Sequence, residues 1–156
     1  MYSLDNTDRK ILHILQREGR LSNQELAERV NISTAACWRR TRALEERGVI
    51  AGYCARLDRK AMALGLCSFV HVTLSRHEMR DVEEFEKMIT ERDEVLECHA
   101  TAGEADYLLK VVTRDLEHFD AFLKETLFAL PGIRQTHSNI SIREIKSTTQ
   151  LPLGQY

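Results

Sequence analysis

The amino-acid sequence predicts an α+β protein built from two unlike parts. In the first third of the chain, apolar residues recur at the three- and four-residue intervals of amphipathic helices, in three short runs. From residue 66 onward, strand-like and helical runs follow one another in the order β-α-β-β-α-β. The 156 residues suffice for two small domains, and a content of 43% apolar and 29% charged residues is typical of a soluble globular protein.

Three predicted N-terminal helices have recognisable start and stop signals. Ser22 and Glu25 have the S-x-x-E spacing of a capping box, and Asn31 suits the left-handed conformation that ends a helix. The residues that mark the three pairs of helix ends are Asp5 and Gly19, Ser22 and Asn31, and Ser33 and Gly48. A tight turn of about three residues before the last helix matches the helix-turn-helix pattern. We therefore expect a helix-turn-helix domain with a following strand in residues 1–57.

The third helix, STAACWRRTRALEERG at residues 33–48, has the residue types of a DNA-recognition helix. Cys37, Thr41 and Leu44 share one face, which we expect to pack inward. Small residues at the start allow close approach to base edges, and arginine forks match guanine edges and phosphate oxygens. The candidate DNA-binding residues are Ser33, Thr34, Ala35, Trp38, Arg39, Arg40 and Arg42.

Other readings of this helix remain open at the level of sequence. Trp38 is equally explained as a core residue, because a large aromatic side chain is usually at least partly buried. Arg40 can pair with Glu45 instead of a phosphate. The whole stretch can also be a solvated helix face with charge pairs.

Charge is distributed unevenly between the two parts. Residues 1–57 hold 10 Lys and Arg against 7 Asp and Glu, a net charge of +3, whereas residues 58–156 hold 12 against 17, a net charge of −5. Opposite charges favour two different tasks, although chance fluctuation along the chain is the alternative.

The C-terminal part has the order of a ferredoxin-like βαββαβ domain, which we expect over residues 66–156 after a helical connector at 58–65. VIAGYCARL, ahead of the connector, has a strand-like pattern. The successive elements are CSFVHVTL, DVEEFEKMITER, VLECHATA, YLLKVV, LEHFDAFLKETLFAL and IRQTHSNISIREI. Two helices cover one face of such a sheet, so the open face is the expected interface for a second subunit.

The turn AGEADY is the candidate ligand site of this domain. An amino acid needs a carboxylate for its ammonium group and N–H donors for its carboxylate, and a hairpin with acidic residues offers both. The candidate effector-binding residues are His99, Thr101, Gly103, Glu104, Asp106 and Tyr107, with His99 and Thr101 on the open sheet face. An ordinary turn with solvated acids is the alternative.

Several classes of function are disfavoured by the sequence. No window reaches the 18 apolar residues of a membrane span and no secretory signal is present, so we expect a cytoplasmic protein without membrane contact. The four cysteines lack C-x-x-C spacing, which predicts reduced and mostly buried thiols and no zinc ribbon. Adjacent Cys98 and His99 point to opposite faces of a strand, and so we expect no metal site and no cofactor there.

Five stretches of the chain resemble the leucine-responsive regulatory protein and asparagine-regulator (Lrp/AsnC, feast/famine) family of transcription factors. They are LDNTDRKILHILQREGRLSNQELAERV, CWRRTRALEERGVIAGY, AGEADYLLKV, LPGI and EIKSTTQLPL. The positions that match the family's recognition-helix and hairpin motifs are Cys37, Arg40, Arg42, Leu44 and Glu45, and Gly103, Glu104, Asp106 and Tyr107. Thr34 and Ala36 stand where many members carry prolines.

The resemblance implies a sequence-specific transcriptional regulator that binds double-stranded DNA and a small amino acid or related metabolite. It also implies homodimers, often octamers, with the effector bound at subunit contacts near the hairpin. A ligand-independent architectural DNA-wrapping protein would share the same DNA-binding features. An enzyme that uses His99 with Asp106 is a further rival, but no nucleophile and base at a convincing spacing support it, and we expect no catalytic residues.

Overall fold

Three capped helices form the N-terminal part of the chain in the computed structural model, which describes residues 4–75 and 79–154. Helix α1 spans Asn6–Leu15, α2 spans Asn23–Val30 and α3 spans Thr34–Glu46. The expected caps are present: the side chain of Asp5 accepts a hydrogen bond from the Asp8 amide, and Ser22 and Glu25 form a reciprocal capping box. Local side-chain chemistry therefore sets where these helices begin.

The helix ends differ slightly from those expected. Helix α1 ends at Leu15, ahead of Gly19, and α3 ends at Glu46, two residues before a Gly48 with φ of 69°. The predicted inward face of α3 is confirmed for Cys37 and Leu44, which are buried in the core of this unit, whereas Thr41 is only partly buried. The other buried residues of that core are Ile11, Leu26, Ala27 and Val30.

The expected strand at residues 49–57 is not observed. Residues 51–58 take no regular conformation, and no described segment pairs with them. The prediction was wrong because an apolar pattern marks only a possible strand, while a strand exists only beside a hydrogen-bonded neighbour. The connector at 58–65 forms turns rather than a helix, and Asp58 Oδ1 accepts from the Lys60 amide at 2.8 Å.

The second unit, Leu57–Ile145, contains a four-stranded sheet and two helices. Strand β1 spans Leu66–Leu74, β2 spans Val95–Ala100, β3 spans Tyr107–Thr113 and β4 spans Ile133–Ile140. Helix α4 is Met79–Thr90, and α5, Leu116–Phe122, continues into a π-helical turn at Leu123–Leu127. The antiparallel order β2-β3-β1-β4 confirms the ferredoxin-like arrangement.

One face of the sheet supplies the core of this second unit. Val70 and Val72 of β1 and Leu109 of β3 are fully buried with Phe85 of α4 and Phe119 of α5. The opposite face, termed here the open face, carries the alternate residues of each strand. Its members on the two inner strands and on β4 include Phe69, His71, Thr73, Leu108, Lys110, Gln135, His137 and Asn139.

The first unit also includes the C-terminal segment of the chain from Lys146 onward. Gln16, the residue that follows α1, makes two hydrogen bonds to this segment: its Nε2 donates to the carbonyl of Leu151 at 3.2 Å, and its Oε1 accepts from the Leu151 amide at 2.9 Å. Arg9 donates to the Leu153 carbonyl at 2.8 Å. The polypeptide therefore returns to the helix-turn-helix after completing the sheet.

The cysteines only partly match the expectation. All four are free thiols, but only Cys37 and Cys67 are buried, whereas Cys54 and Cys98 are exposed. Burial raises the pKa of the Cys37 thiol. No helix within residues 4–75 and 79–154 is long and apolar enough to cross a membrane.

Candidate DNA-binding surface and effector hairpin

The turn before α3 is fixed by hydrogen bonds and backbone conformation. Asn31 takes the left-handed conformation with φ of 61°, and Ser33 Oγ accepts from the Ala36 amide at 3.3 Å. Asn23 Nδ2 of α2 donates to the Thr34 carbonyl at 2.9 Å. Helix α3 thus starts in a defined direction from α2 without a proline at position 34 or 36. Its first residues, including Thr34 and Ala35, are exposed.

Trp38 and Arg39 lie on the outer surface of α3. Trp38 is 61% exposed, which argues against the core alternative left open by the sequence. Arg39 is exposed, and within the described residues no ion pair involves it. An indole face and an unpaired guanidinium at this position can contact a phosphate backbone and the sugars or bases beside it.

Arg42 makes surface ion pairs along its own helix. Its Nε donates to Glu46 Oε1 at 2.9 Å, and its Nη1 lies 3.7 Å from Glu45 Oε2. Because the Arg42 side chain is 56% exposed, these pairs contribute little to stability. The guanidinium can therefore exchange its carboxylate partner for a phosphate at small cost.

Arg40 lies in a different environment from its two neighbours. Its Nη1 donates to Asp5 Oδ2 at 2.8 Å and to Asp8 Oδ1 at 2.7 Å, and the Asp8 side chain is only 2% exposed. It does not pair with Glu45, the partner considered from the sequence. Hydrogen bonding from the Asp8 amide, followed by Arg40, lowers the pKa of the Asp5 carboxyl. Arg40 thus joins α3 to the start of α1.

A groove of about 310 Å³ lies beside the exposed tryptophan on the first unit. Tyr53 lines it, and the Tyr53 hydroxyl donates to Glu45 Oε1 at 3.0 Å. Burial, with Glu45 adding to it, raises the pKa of Tyr53 to about 12. Sequence reasoning did not single out Tyr53, because its partner lies eight residues away on a helix face that only the fold defines.

The candidate effector hairpin joins β2 to β3 and is tied at both ends. The Thr101 amide donates to the Asp106 carbonyl at 2.8 Å, and Thr101 Oγ1 donates to the Ala105 carbonyl at 2.6 Å. Asp106 reaches across to β1: its amide donates to the Val72 carbonyl at 3.0 Å, and its Oδ2 accepts from the Leu74 amide at 2.8 Å. The carboxylate of Asp106 therefore fixes the hairpin against the sheet.

The tip of the hairpin is open to solvent. Gly103 and Glu104 are exposed, and a Cβ placed on Gly103 would meet no atom of the chain within 4 Å. Gly103 also does not have a positive φ. The chain's own sterics therefore do not require glycine at this position. Glycine at this exposed tip leaves room for close approach of a ligand or a second chain.

The six candidate effector residues do not share one face. The Tyr107 side chain lies among the buried core residues, with its ring 4.5 Å from that of Phe85 and its hydroxyl donating to Glu86 Oε1 at 2.9 Å. Burial, then the bond to Glu86, raises the pKa of Tyr107 to about 12. The structure thus places the tyrosine ring on the helix side of the sheet.

His99 occupies the open face, as expected from strand alternation. It lies opposite Leu108 on β3, its side chain is 61% exposed, and its Nε2 is 3.5 Å from Glu97 Oε2. Glu97 accepts from Lys110 Nζ at 2.7 Å, and this lysine is the main cause of the lowered pKa of the Glu97 carboxyl. His99, Thr101 and the hairpin tip form one exposed polar edge.

Comparison with known proteins identifies relatives of both units. The family model of the Lrp/AsnC ligand-binding domain matches residues 67–151, and that of a winged helix-turn-helix DNA-binding domain matches residues 4–51. The DNA-binding transcriptional activator DecR of Escherichia coli K12 is 39% identical over 150 residues, covering 96% of this chain and 99% of the relative. The leucine-responsive regulatory protein of the same organism is 39% identical over 148 residues, covering 95% and 90%.

Solved structures resemble the whole chain as well. A transcriptional regulator of Neisseria meningitidis, in complex with L-methionine, superposes with a TM-score of 0.93 at 41% identity and covers 97% of both chains. An AsnC-family transcriptional regulator of Agrobacterium tumefaciens superposes with a TM-score of 0.92 at 39% identity, covering 96% of this chain and 97% of the other.

Proposed function

The chain belongs to the Lrp/AsnC family of DNA-binding transcriptional regulators, and from this premise we propose that it binds specific DNA sequences through α3 and responds to a small amino acid or related metabolite. The observation that carries the DNA-binding proposal is the outer surface of α3. Trp38, Arg39 and Arg42 lie there on a helix whose start is fixed by Ser33.

The proposed contacts divide into two kinds. Ser33, Thr34 and Ala35, at the start of α3, are small enough to let the helix end approach base edges in the major groove. Arg39 and Arg42 supply the charge for phosphates or guanine edges. Arg40, which sequence reasoning grouped with them, acts on DNA indirectly by holding α3 against α1 through Asp5 and Asp8.

The proposed effector site is the exposed edge formed by His99, Thr101 and the hairpin tip. Glu104 offers a solvent-exposed carboxylate for an ammonium group, while Asp106 positions the hairpin through its bond to the Leu74 amide. The ligand-binding family model and the L-methionine complex of the Neisseria regulator support an amino acid as the effector. Tyr107 contributes through the core beneath the hairpin rather than by direct contact.

We further propose that two copies pair through the open face of the sheet. Phe69 is 39% exposed there, and Leu108 is only partly covered within one chain, so pairing removes apolar surface from water. A symmetric pair presents two α3 helices, which can occupy two half-sites about one helical turn of DNA apart. Pairing also places ligand sites near subunit contacts, where binding can favour one assembly over another.

The first experiment selects DNA ligands from a random pool and then measures the affinity of alanine variants for a selected sequence. We expect Arg39→Ala and Arg42→Ala each to weaken binding by about 1–3 kcal/mol, and the wild-type affinity to fall steeply with added salt. Arg80→Ala, which removes an exposed arginine from the second unit, is the matched control and should leave affinity unchanged. If the parent and both α3 variants bind the selected DNA with equal affinity, the outer surface of α3 is excluded as the DNA-binding surface.

A screen of the twenty amino acids separates a regulator from a ligand-independent DNA-wrapping protein. A ligand that binds only the folded protein raises its melting temperature with concentration. If the protein is a regulator, we expect at least one amino acid to raise its melting temperature and to change its DNA affinity or its oligomeric state. DNA binding without any such response would favour the wrapping protein.

A further inference from the structure

Two histidines from distant parts of the sequence meet on the open face of the sheet. His71 of β1 is directly opposite His137 of β4 in the strand register, and their ring centres are 6.4 Å apart. His71 is partly exposed and His137 is exposed. Beyond this ring contact, neither imidazole has a hydrogen bond or an ion pair among the described residues. Both rings are therefore available to a ligand.

The spacing of the two rings suits a shared metal ion. Metal–nitrogen bonds of about 2.0–2.1 Å place the centres of two imidazoles on one tetrahedral ion roughly 5 Å apart. The observed separation exceeds this by only about 1 Å, which a change of side-chain rotamer can close. Neutral imidazole is a good ligand for zinc and neighbouring late transition metals.

The charges around the pair do not oppose a cation. Along β1 and β4, the neighbours on the same face are uncharged: Phe69 and Thr73 on β1, and Gln135 and Asn139 on β4. The ammonium group of Lys110, on the neighbouring strand, is 2.7 Å from Glu97 Oε1, so its charge is compensated. A divalent ion at the histidine pair therefore meets no uncompensated positive charge from these neighbours.

One chain provides too few ligands for a tightly held ion. A structural zinc site takes four protein ligands, and within the described residues no three histidine, cysteine or acidic side chains of a single chain come together. His71 lies near the middle of β1, an inner strand of the sheet. In a symmetric face-to-face pair, residues near the axis meet their own copies. A second chain can therefore supply the missing pair.

We propose that His71 and His137 bind a divalent late transition metal together with the same two residues of a second copy, so that one ion joins two open faces. The proposal rests on the pairing of copies proposed above. It adds a ligand of a different chemical class from the amino-acid effector, at a different place on the sheet. Metal bound across the pair strengthens association of the two chains, because it binds the dimer better than the monomer.

The test uses ZnCl2 with the full-length protein, calorimetry for stoichiometry and sedimentation velocity for assembly. We expect one zinc ion per two chains and at least a tenfold lower dimer dissociation constant at saturating zinc. His71→Gln and His137→Gln should each lose both effects while unfolding at the same denaturant concentration as the parent. His118→Gln, which removes a partly exposed histidine of α5, is the matched control and should keep both effects.

Zinc binding with unchanged stoichiometry and affinity in His71→Gln and His137→Gln would overturn the proposal. A protein that sediments as a monomer at saturating zinc would also overturn it. Parallel measurements in EDTA test the proposed regulatory function without the metal. If the protein in EDTA dimerises, binds DNA and responds to an amino acid, while zinc titration shows no histidine-dependent binding, then the metal site alone is refuted. Histidine-dependent zinc binding without DNA binding would refute the regulatory function alone.

Discussion

Arg39, Arg40 and Arg42 show that neighbouring residues of one helix can have unlike tasks. All three carry the same charge, but only Arg40 contacts a buried carboxylate, that of Asp8. A charge-assisted bond to a buried group contributes more to stability than an exposed ion pair. At the scale of single residues, the environment therefore decides which arginine stabilises the domain and which remains free for DNA.

The Arg40 assignment predicts a loss of stability in Arg40→Ala. We expect the free energy of unfolding to fall by about 1–3 kcal/mol, because Asp8 loses a charged partner while the Arg40 side chain is still partly exposed. Urea denaturation followed by helical circular dichroism measures the change. Arg39→Ala should differ from the parent by no more than about 0.5 kcal/mol, as expected for a surface site. Equal urea midpoints of unfolding for Arg40→Ala and Arg39→Ala would contradict the structural role of Arg40.

The hairpin is the element on which the effector proposal depends. In Asp106→Asn, the amide oxygen can still accept from the Leu74 amide, whereas Asp106→Ala removes the acceptor. If Asp106 positions the hairpin, the asparagine variant should keep the amino-acid response and the alanine variant should lose it. Calorimetry with an amino acid found in the screen measures this. Loss of the amino-acid response in both variants would instead indicate that the charged carboxylate of Asp106 binds the ligand's ammonium group.

Gly103 provides an independent test of the same element. Since an added Cβ meets no atom of the chain, Gly103→Ala should unfold within about 0.5 kcal/mol of the parent. A weakened amino-acid response in this variant would then indicate that a ligand or a second chain closely approaches the backbone at Gly103. An unchanged response would place the ligand away from the hairpin tip.

Elements fixed by nearby residues were predictable from the sequence, and those that need distant partners were not. The caps at Asp5, Ser22 and Ser33 involve residues only three positions away, and all three were confirmed. The segment 49–57 lacked the partner that a strand requires. Likewise, the register shift between Val95 and Glu97 depends on the pairing of β2 with β3, which alternation along β2 alone does not predict.

The candidate site was predictable to the same limited extent. The hairpin residues and the outward residues of α3 were identified from local motifs and helical spacing. The partners of Arg40 lie 35 and 32 residues away, and His71 and His137 are joined only by strand register. No local pattern contains these contacts, because they are created by the tertiary fold.

At the scale of the whole molecule, the chain connects its two units at two places in the sequence. It leaves the first unit after Arg56 and returns to it at Lys146, where the C-terminal segment is held by Arg9 of α1 and by Gln16, which follows α1. The excess of positive charge lies in residues 1–57 and the excess of negative charge lies in the remainder. This division of charge suits the proposed roles, in which the first unit contacts DNA and the second binds a ligand and a second copy.

The most direct test of the central claim is the affinity of the full-length protein for a selected DNA sequence, titrated with and without the amino acid that stabilises it. We expect the amino acid to change the DNA dissociation constant by about 5- to 150-fold, the usual range of coupling between two sites. We also expect the reciprocal change in amino-acid affinity when DNA is present. Identical DNA titration curves with and without the saturating amino acid would show that the protein is not an amino-acid-responsive regulator.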